Sequence, residues 1–133
     1  MSKMNPVVHF EMAAEDSKRM SEFYTNVFGW NTVQFGPEMG NYIVAQTTET
    51  DDKGMIQTKG AINGGFYQKL EDPKMNNPSI VISVDDIKEH MVKIQNAGGK
   101  LLGEPIPIPG VGEFISFIDT EGNRCSILQP ISM

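Results

Sequence analysis

The sequence contains a single cysteine, Cys125, among its 133 residues. A lone cysteine excludes an internal disulfide bond and a multi-cysteine metal site, and it favours a reducing cytoplasm as the location. Basic residues are also few: Lys and Arg total 11 against 17 Asp and Glu, so the net charge is -6. An acidic chain lacks the attraction that draws proteins to nucleic acid or to an anionic membrane, so neither is an expected partner.

Long apolar runs are absent as well. No stretch approaches the roughly 20 apolar residues that span a bilayer, and residues 1–6 lack the apolar region of a secretory signal. Hydrophobic residues make up 39% of the chain and charged residues 21%, which is typical of a folded globular protein. We therefore expect a single domain that spans residues 1–133.

The chain shows one pattern twice. Residues 7–12 and residues 79–84 each read as a strand, and each is followed by an amphipathic helix and then by several short strand-like runs. A shift of 70 positions superimposes three pairs in these segments: Asp16 on Asp86, Asn26 on Asn96 and Gly29 on Gly99. We predict an α+β fold of two β-α-β-β-β modules, about 5–70 and about 77–131, joined by a short linker, with the helices on the outside.

Both helices carry a predicted apolar stripe with defined ends. The first stripe has the spacing of one helix face and comprises Met20, Phe23, Tyr24, Val27 and Phe28. The second stripe comprises Ile87, Met91 and Ile94. Asp or Ser residues at each start predict N-caps, and glycines predict the ends.

The predicted strands have one apolar face and one mixed face. His9 and Glu11 alternate with Val8, Phe10 and Met12, so they share the face opposite the apolar one. Ser79 lies on the mixed face of its strand, and Arg124 and Ser126 lie opposite Cys125 and Ile127. A mixed face can line a ligand cavity in a curled sheet, or it can simply face water. Alternation alone does not decide between the two.

Several motifs then resemble the vicinal oxygen chelate superfamily, which includes glyoxalases, bleomycin-resistance proteins and extradiol dioxygenases. They follow one another in the order of that family over nearly the whole chain: VHFE (8–11), FYTNVFGW (23–30), INGGF (62–66), SVDD (83–86), NAGG (96–99), IPGVG (108–112) and DTEGN (119–123). The resemblance implies paired modules whose mixed sheets curl into an incomplete barrel around the site. It also implies a homodimer and a small-molecule ligand.

Members of the family typically hold one divalent metal on four histidine or glutamate side chains. The matching positions here are His9, a position at Gly64 or Gly65, Ser79 and Ser126. Only His9 is a strong ligand, because serine hydroxyls are weak neutral ligands and glycine has no side chain. The resemblance therefore does not favour a divalent metal, although a relocated site that uses Glu11 stays open. Two glycines within a strand also predict a bulge, or the close approach of a ligand or a partner subunit.

These residues define a predicted site. We assign His9 and Glu11 to acid–base chemistry, and four residues to ligand binding: Ser79, Ser126, Trp30 and Tyr42. His9 could instead be a buried histidine that is bonded to a neighbouring strand. The expected function is binding of a small organic molecule without the usual metal set, with or without catalysis. The alternatives are a divalent-metal-dependent lyase of glyoxalase type, an extradiol dioxygenase with a non-standard ligand set, and a non-catalytic interaction module.

Overall fold

The computed structural model of the protein describes residues 3–131. Within them, the elements follow the β-α-β-β-β order twice: β1 (Val7–Ala14), α1 (Ser17–Phe28), β2 (Asn31–Gln34), β3 (Ile43–Gln46) and β4 (Asn63–Gln68), then β5 (Ser79–Ser83), α2 (Ile87–Asn96), β6 (Lys100–Ile108), β7 (Gly112–Ile118) and β8 (Arg124–Pro130). The predicted α+β class is confirmed. Neither α1 nor α2 has the length and hydropathy that crossing a bilayer requires.

The described residues form two compact units. The first unit is His9–Pro78, and the second unit consists of the residues up to Val8 together with those from Ser79 onward. Each unit has four neighbouring strands and a core of its own, as described next.

The sheet of the first unit has the strand order β2-β3-β4-β1. Strands β1 and β4 pair in parallel, and the other neighbours are antiparallel. The core lies between this sheet and α1, and its buried members are Ala14, Ile43, Ala45 and Phe66. Met20 and Tyr24 of α1 pack against it.

The apolar stripe predicted on α1 is only partly buried. Phe23, Val27 and Phe28 are each more than half exposed, at 53, 56 and 61%. Tyr24 instead stacks on Trp30, with ring centroids 4.6 Å apart, and on Phe28. The helix therefore meets its sheet along Met20 and Tyr24, and the rest of the stripe faces outward.

The sheet of the second unit has the order β5-β8-β7-β6, with β5 and β8 parallel and the other neighbours antiparallel. Its buried core consists of Val84, Ile87, Ile115 and Ile127. Met91 and Ile94 pack against this core, so the predicted stripe on α2 is confirmed.

Both helices begin at the predicted aspartates. The Asp16 carboxylate accepts a hydrogen bond from the Arg19 amide at 3.0 Å, and Asp86 accepts from the Glu89 amide at 3.1 Å. Each bond satisfies an N–H group that has no partner within its helix. Gly29 ends α1 with a φ of 73°, a left-handed conformation that glycine adopts without strain.

The segment before β1 packs in the second unit. The Ser83 amide donates to the Pro6 carbonyl at 2.9 Å, and Lys3 forms an ion pair with Asp85 at 2.8 Å. His90 Nε2 lies 3.2 Å from the Asn5 side-chain oxygen. These contacts explain why the described residues up to Val8 belong to the second unit.

Candidate functional site

Three polar side chains of the first unit form a hydrogen-bonded row. Tyr42 Oη donates to Glu11 Oε2 at 3.0 Å, and His9 Nε2 lies 3.0 Å from the same Tyr42 oxygen. His9 and Glu11 alternate along β1 with Phe10 and Met12, which pack on the α1 side. The row therefore occupies the face of the sheet opposite α1, where the sequence predicts His9 and Glu11.

The row has a definite direction of proton donation. An ionised carboxylate only accepts hydrogen bonds, so the Tyr42 proton points toward Glu11. Tyr42 Oη then accepts from His9 Nε2–H, and this assignment leaves Nδ1 of His9 as the acceptor nitrogen. Tyr42 thus connects the two residues that the sequence assigns to acid–base chemistry.

Burial shifts the pKa values of His9 and Tyr42 in this row. It lowers the pKa of His9, because removal from water disfavours the charged imidazolium. It also raises the pKa of Tyr42, and the neighbouring Glu11 charge raises it further. At neutral pH His9 is therefore a neutral imidazole and Tyr42 a protonated phenol. Glu11 itself is 9% exposed, so water reaches little of it.

The paired glycines of β4 make room for two rings. A Cβ atom built on Gly65 would overlap the Tyr42 hydroxyl and ring, and one built on Gly64 would overlap the Phe10 ring. Glu11 pairs with Gly65 and Phe10 pairs with Gly64 across the parallel β1–β4 ladder. The sequence predicts a bulge here, or the approach of a ligand or a partner subunit. The register at both glycines is instead regular, and side chains of the chain itself occupy the space.

Trp30 lies apart from this row. Its ring stacks on Tyr24 and contacts Phe10 at a centroid distance of 5.7 Å. Both partners belong to the core on the α1 side. Tyr42, one of the four residues predicted to bind ligand, lies within hydrogen-bonding distance of both His9 and Glu11.

Ser79 and Ser126 belong to the second unit. Ser126 is fully buried, and its hydroxyl is 2.8 Å from the Ser116 hydroxyl on the neighbouring strand. Ser79 is 7% exposed, and its hydroxyl is buried without a hydrogen-bond partner among the described residues. Ser116 was not predicted, because it joins the pair through the β7–β8 register rather than through a sequence motif.

The side chains at the four family positions do not fit a divalent metal. His9 is bonded to Tyr42. Gly64 and Gly65 lie under the Phe10 and Tyr42 rings, and the two serines offer neutral hydroxyls. Among residues 3–131, no group of three His, Cys, Asp or Glu side chains lies close enough to hold an ion. The donor set is therefore suited to hydrogen bonding and proton transfer rather than to metal coordination.

A polar groove of about 420 Å³ lies elsewhere on the first unit. Its lining runs from Gly29 and Asn31 to Gln46 and residues 47–50. Glu49 is its one titratable side chain, so the groove lacks the acid–base pair that His9 and Glu11 provide. The hydrogen-bonded row remains the better candidate for chemistry.

Comparison with known proteins gives one consistent family. The model of the Glyoxalase/Bleomycin resistance protein/Dioxygenase superfamily matches residues 7–127. A glyoxylase-like domain-containing protein of Didymella fabae is 32% identical over 120 residues, 88% of each chain. Lactoylglutathione lyase GLX1 of Arabidopsis thaliana is 25% identical over 138 residues, and the match spans 92% of this chain but only 43% of that protein.

Solved structures share the fold at low sequence identity. A methylmalonyl-CoA epimerase superimposes with a TM-score of 0.70 at 18% identity, over 99% of this chain and all of the other. The Streptomyces coelicolor methylmalonyl-CoA epimerase, solved in complex with 2-nitronate-propionyl-CoA, gives a TM-score of 0.69 at 16% identity, over 98% of this chain. At these identities the likeness establishes the fold alone.

Proposed function

Since this chain belongs to the Glyoxalase/Bleomycin resistance protein/Dioxygenase superfamily, we propose that it binds a small carbonyl compound beside His9, Tyr42 and Glu11. We further propose that this site moves a proton on the ligand without a divalent metal. The observation that carries the proposal is the hydrogen-bonded row of these three side chains on one face of the first unit's sheet.

The row suits proton transfer at a carbon next to a carbonyl group. A neutral imidazole accepts a proton near neutral pH, and Nδ1 of His9 is the nitrogen left free to do so by the Tyr42 bond. When His9 gains the proton, the Glu11 carboxylate stabilises the imidazolium through Tyr42. Glu11 and Tyr42 therefore act on the ligand through His9, by fixing its tautomer and its charge.

The relatives suggest which carbonyl compounds to try. Lactoylglutathione and methylmalonyl-CoA, in the names of two of them, are both acyl thioesters. Thioesters have acidic hydrogens on the carbon next to the carbonyl group. An acyl thioester is thus the ligand class that we propose for this chain.

Deuterium exchange tests the chemistry directly. Chelator-treated protein in D2O is mixed with methylmalonyl-CoA, or with the hemithioacetal of methylglyoxal and glutathione, and proton NMR follows the signal of the α-hydrogen. We expect loss of that signal with the wild type, little loss with His9→Gln, and unchanged exchange with His90→Gln. His90 is the matched control, since it is the second of two histidines and lies on α2.

Other outcomes would overturn parts of the proposal. Exchange that begins only when nickel, zinc or iron is added would replace it with a metal-dependent lyase or dioxygenase. Saturable binding without exchange would leave a binding protein and remove the catalytic step. A protein that neither binds nor exchanges these compounds would be a non-catalytic interaction module.

Two further properties are part of the proposal. We infer a homodimer, and the exposed apolar side chains of α1 offer a surface on which two copies could meet. We also infer a cytoplasmic location, which the lone cysteine supports.

A further inference from the structure

We propose that a groove beside the start of α1 binds a small aromatic carboxylate, with the carboxylate group held by Arg19 and Lys69 and the ring stacked on Phe23. All residues that line this groove, named here the α1 groove, belong to the first unit. They include Met20, which packs against the core on the α1 side, whereas the row of His9 occupies the opposite face of the sheet. The inference is therefore independent of the chemistry proposed for His9.

The α1 groove forms at the end of β1, where the chain turns directly into α1. It has a volume of about 400 Å³, which is in the range of small-molecule sites. Lys69 follows β4, and its amide donates to the Ala14 carbonyl at 3.0 Å, so its side chain joins the groove from the neighbouring strand. One side of α1 completes the lining with Arg19, Met20 and Phe23. Cationic and apolar side chains thus share one small space.

Phe23 gives the α1 groove an exposed aromatic ring. The side chain is more than half exposed, although it lines the groove beside the buried Ala14. Its ring contacts Tyr24 edge to face, with the ring centroids 5.1 Å apart. An aromatic ring in water gains free energy when a second ring covers it, and aromatic pairs prefer offset or edge-to-face packing. A planar aromatic ligand is therefore the kind of body that this groove suits.

The charges of the α1 groove favour an anion, although the protein as a whole carries a net charge of -6. Lys69 forms no ion pair with the described residues. Arg19 reaches Glu15 only at 4.0 Å, and both side chains are largely exposed, so this pair holds the guanidinium group weakly. The Asp16 carboxylate caps α1, where the positive end of the helix dipole offsets part of its charge. Two cations against Glu15 leave an excess of positive charge.

A carboxylate matches these charges better than a phosphate. It carries a single negative charge, whereas the acidic side chains of the lining would repel a doubly charged phosphate more strongly. Arg19 and Phe23 are four positions apart and so share one side of α1. A guanidinium group binds a carboxylate through two parallel hydrogen bonds, and Lys69 adds a further donor. A ring attached to that carboxylate then lies over Phe23.

Methyl NMR of the intact protein tests the site, because Met20 lines the α1 groove. The probe is 3-phenylpropionate, added at constant ionic strength to protein that is labelled with 13C in its methionine methyl groups. The Met20 signal is assigned from Met20→Leu, and Met91, which packs against the core of the second unit, is the internal control. The ring of the probe should shift the Met20 signal until the shift saturates, and it should leave the Met91 signal in place.

Variants then assign the parts of the site. Lys69→Gln and Arg19→Gln should each weaken binding about threefold, the effect of losing one exposed ion pair. Lys18→Gln is the matched control, since it removes a cation from α1 that does not line the groove, and it should leave the affinity unchanged. Phe23→Ala should abolish saturable binding. Circular dichroism checks the fold of each variant, and the two charge variants still test the site if Phe23→Ala fails to fold.

Several results would overturn the inference. A Met20 signal that stays in place, or that sodium chloride shifts as far as the probe does, would show that the α1 groove has no carboxylate site. Phenethylamine that binds as tightly as the probe would reject the anion, and phenyl phosphate that binds more tightly would reject the carboxylate. Equal binding of 3-cyclohexylpropionate would reject the aromatic ring. A loss in Lys69→Gln no larger than that in Lys18→Gln would remove Lys69 from the site.

A second copy of the chain is the competing occupant of the α1 groove, because Phe23 and Val27 are both exposed on α1. The titration is therefore repeated at several protein concentrations and in Val27→Glu. Equal affinities throughout are expected for a groove that is free to bind a small molecule. An affinity that falls as the protein concentration rises, and that Val27→Glu restores, would assign the groove to contact between copies and reject the small-molecule site.

Discussion

The phenol ring of Tyr42 lies over Gly65, in the space that a side chain at position 65 would need. This contact places the Tyr42 hydroxyl between His9 and Glu11, at 3.0 Å from each. Gly65 is also one of the two glycines at which the family resemblance places a metal ligand. The absence of a side chain at this position therefore makes room for the hydrogen-bonded row.

Replacing Gly65 with alanine should displace Tyr42. The new methyl group would overlap the phenol, and crowding of this kind costs about 1–3 kcal/mol in the free energy of unfolding. Urea denaturation measures that loss. In a Tyr42→Ala background the same Gly65→Ala change should cost much less, because the overlapping ring is gone. Equal costs in the two backgrounds would show that the ring does not occupy this space.

Removing only the hydroxyl of Tyr42 should also destabilise the protein. Tyr42→Phe keeps the ring but leaves the buried Glu11 carboxylate without this donor, at a cost of about 1–3 kcal/mol. Tyr24→Phe is a control in the same unit, since Tyr24 contributes its ring to the aromatic cluster on the α1 side. An effect of Tyr42→Phe no larger than that of Tyr24→Phe would argue against the hydrogen-bonded row.

Stability should fall when the solution becomes mildly acidic. Burial lowers the pKa of His9 below the ordinary imidazole value of 6.5. Between those two pKa values the unfolded chain binds a proton that the folded chain does not, so acid favours unfolding. The contribution of His9 is complete above pH 6.5 and is lost as the pH falls through the pKa of the folded state.

Urea denaturation from about pH 8 to about pH 5 measures this dependence. Because carboxylates also titrate toward the acidic end, the informative quantity is the difference between the wild type and His9→Gln. We expect the wild type to lose more stability than the variant between these limits. Parallel curves for the two proteins would show that His9 is not held in its neutral form.

The self-association that we propose should depend on the exposed side of α1. Val27 is 56% exposed on α1, and Val92 is 55% exposed on α2. A glutamate at an apolar interface buries an unpaired charge, so Val27→Glu should shift a dimer toward monomer in sedimentation experiments. Val92→Glu is the matched control and should leave the dimer intact. A wild-type protein that sediments as a monomer at all concentrations would contradict the homodimer itself.

The fold was predictable because its signals are local. Aspartates that cap helices, glycines that end them and alternating apolar residues in strands each depend on a few neighbouring residues. These signals predicted the order of helices and strands and the face of β1 that carries His9 and Glu11. The stripe on α1 was the exception. Helical spacing shows which residues share a face, but it does not show how much of that face the sheet can cover, and Phe23 and Val27 stay exposed.

The contacts within the site were not predictable in the same way. Tyr42 lies 31 positions from Glu11, and their meeting depends on the course of the chain between β2 and β3 and on a missing side chain at Gly65. The neighbouring positions of Lys100, Ile118 and Arg124 likewise depend on the register of β6, β7 and β8. A sequence pattern shows which residues share one face of a strand or a helix. Which distant side chains come into contact depends on the tertiary structure.

The contacts of Lys3, Asn5 and Pro6 with residues 83–90 also constrain when the second unit can fold during synthesis. Residues 3–8 are synthesised before their partners, which follow only after the whole of the first unit. The second unit therefore folds late, once residues 79–90 have been synthesised and can pack against residues 3–8. A gene fragment that starts at residue 79 would lack this stretch, and supplying residues 3–8 as a separate peptide should restore what the fragment misses.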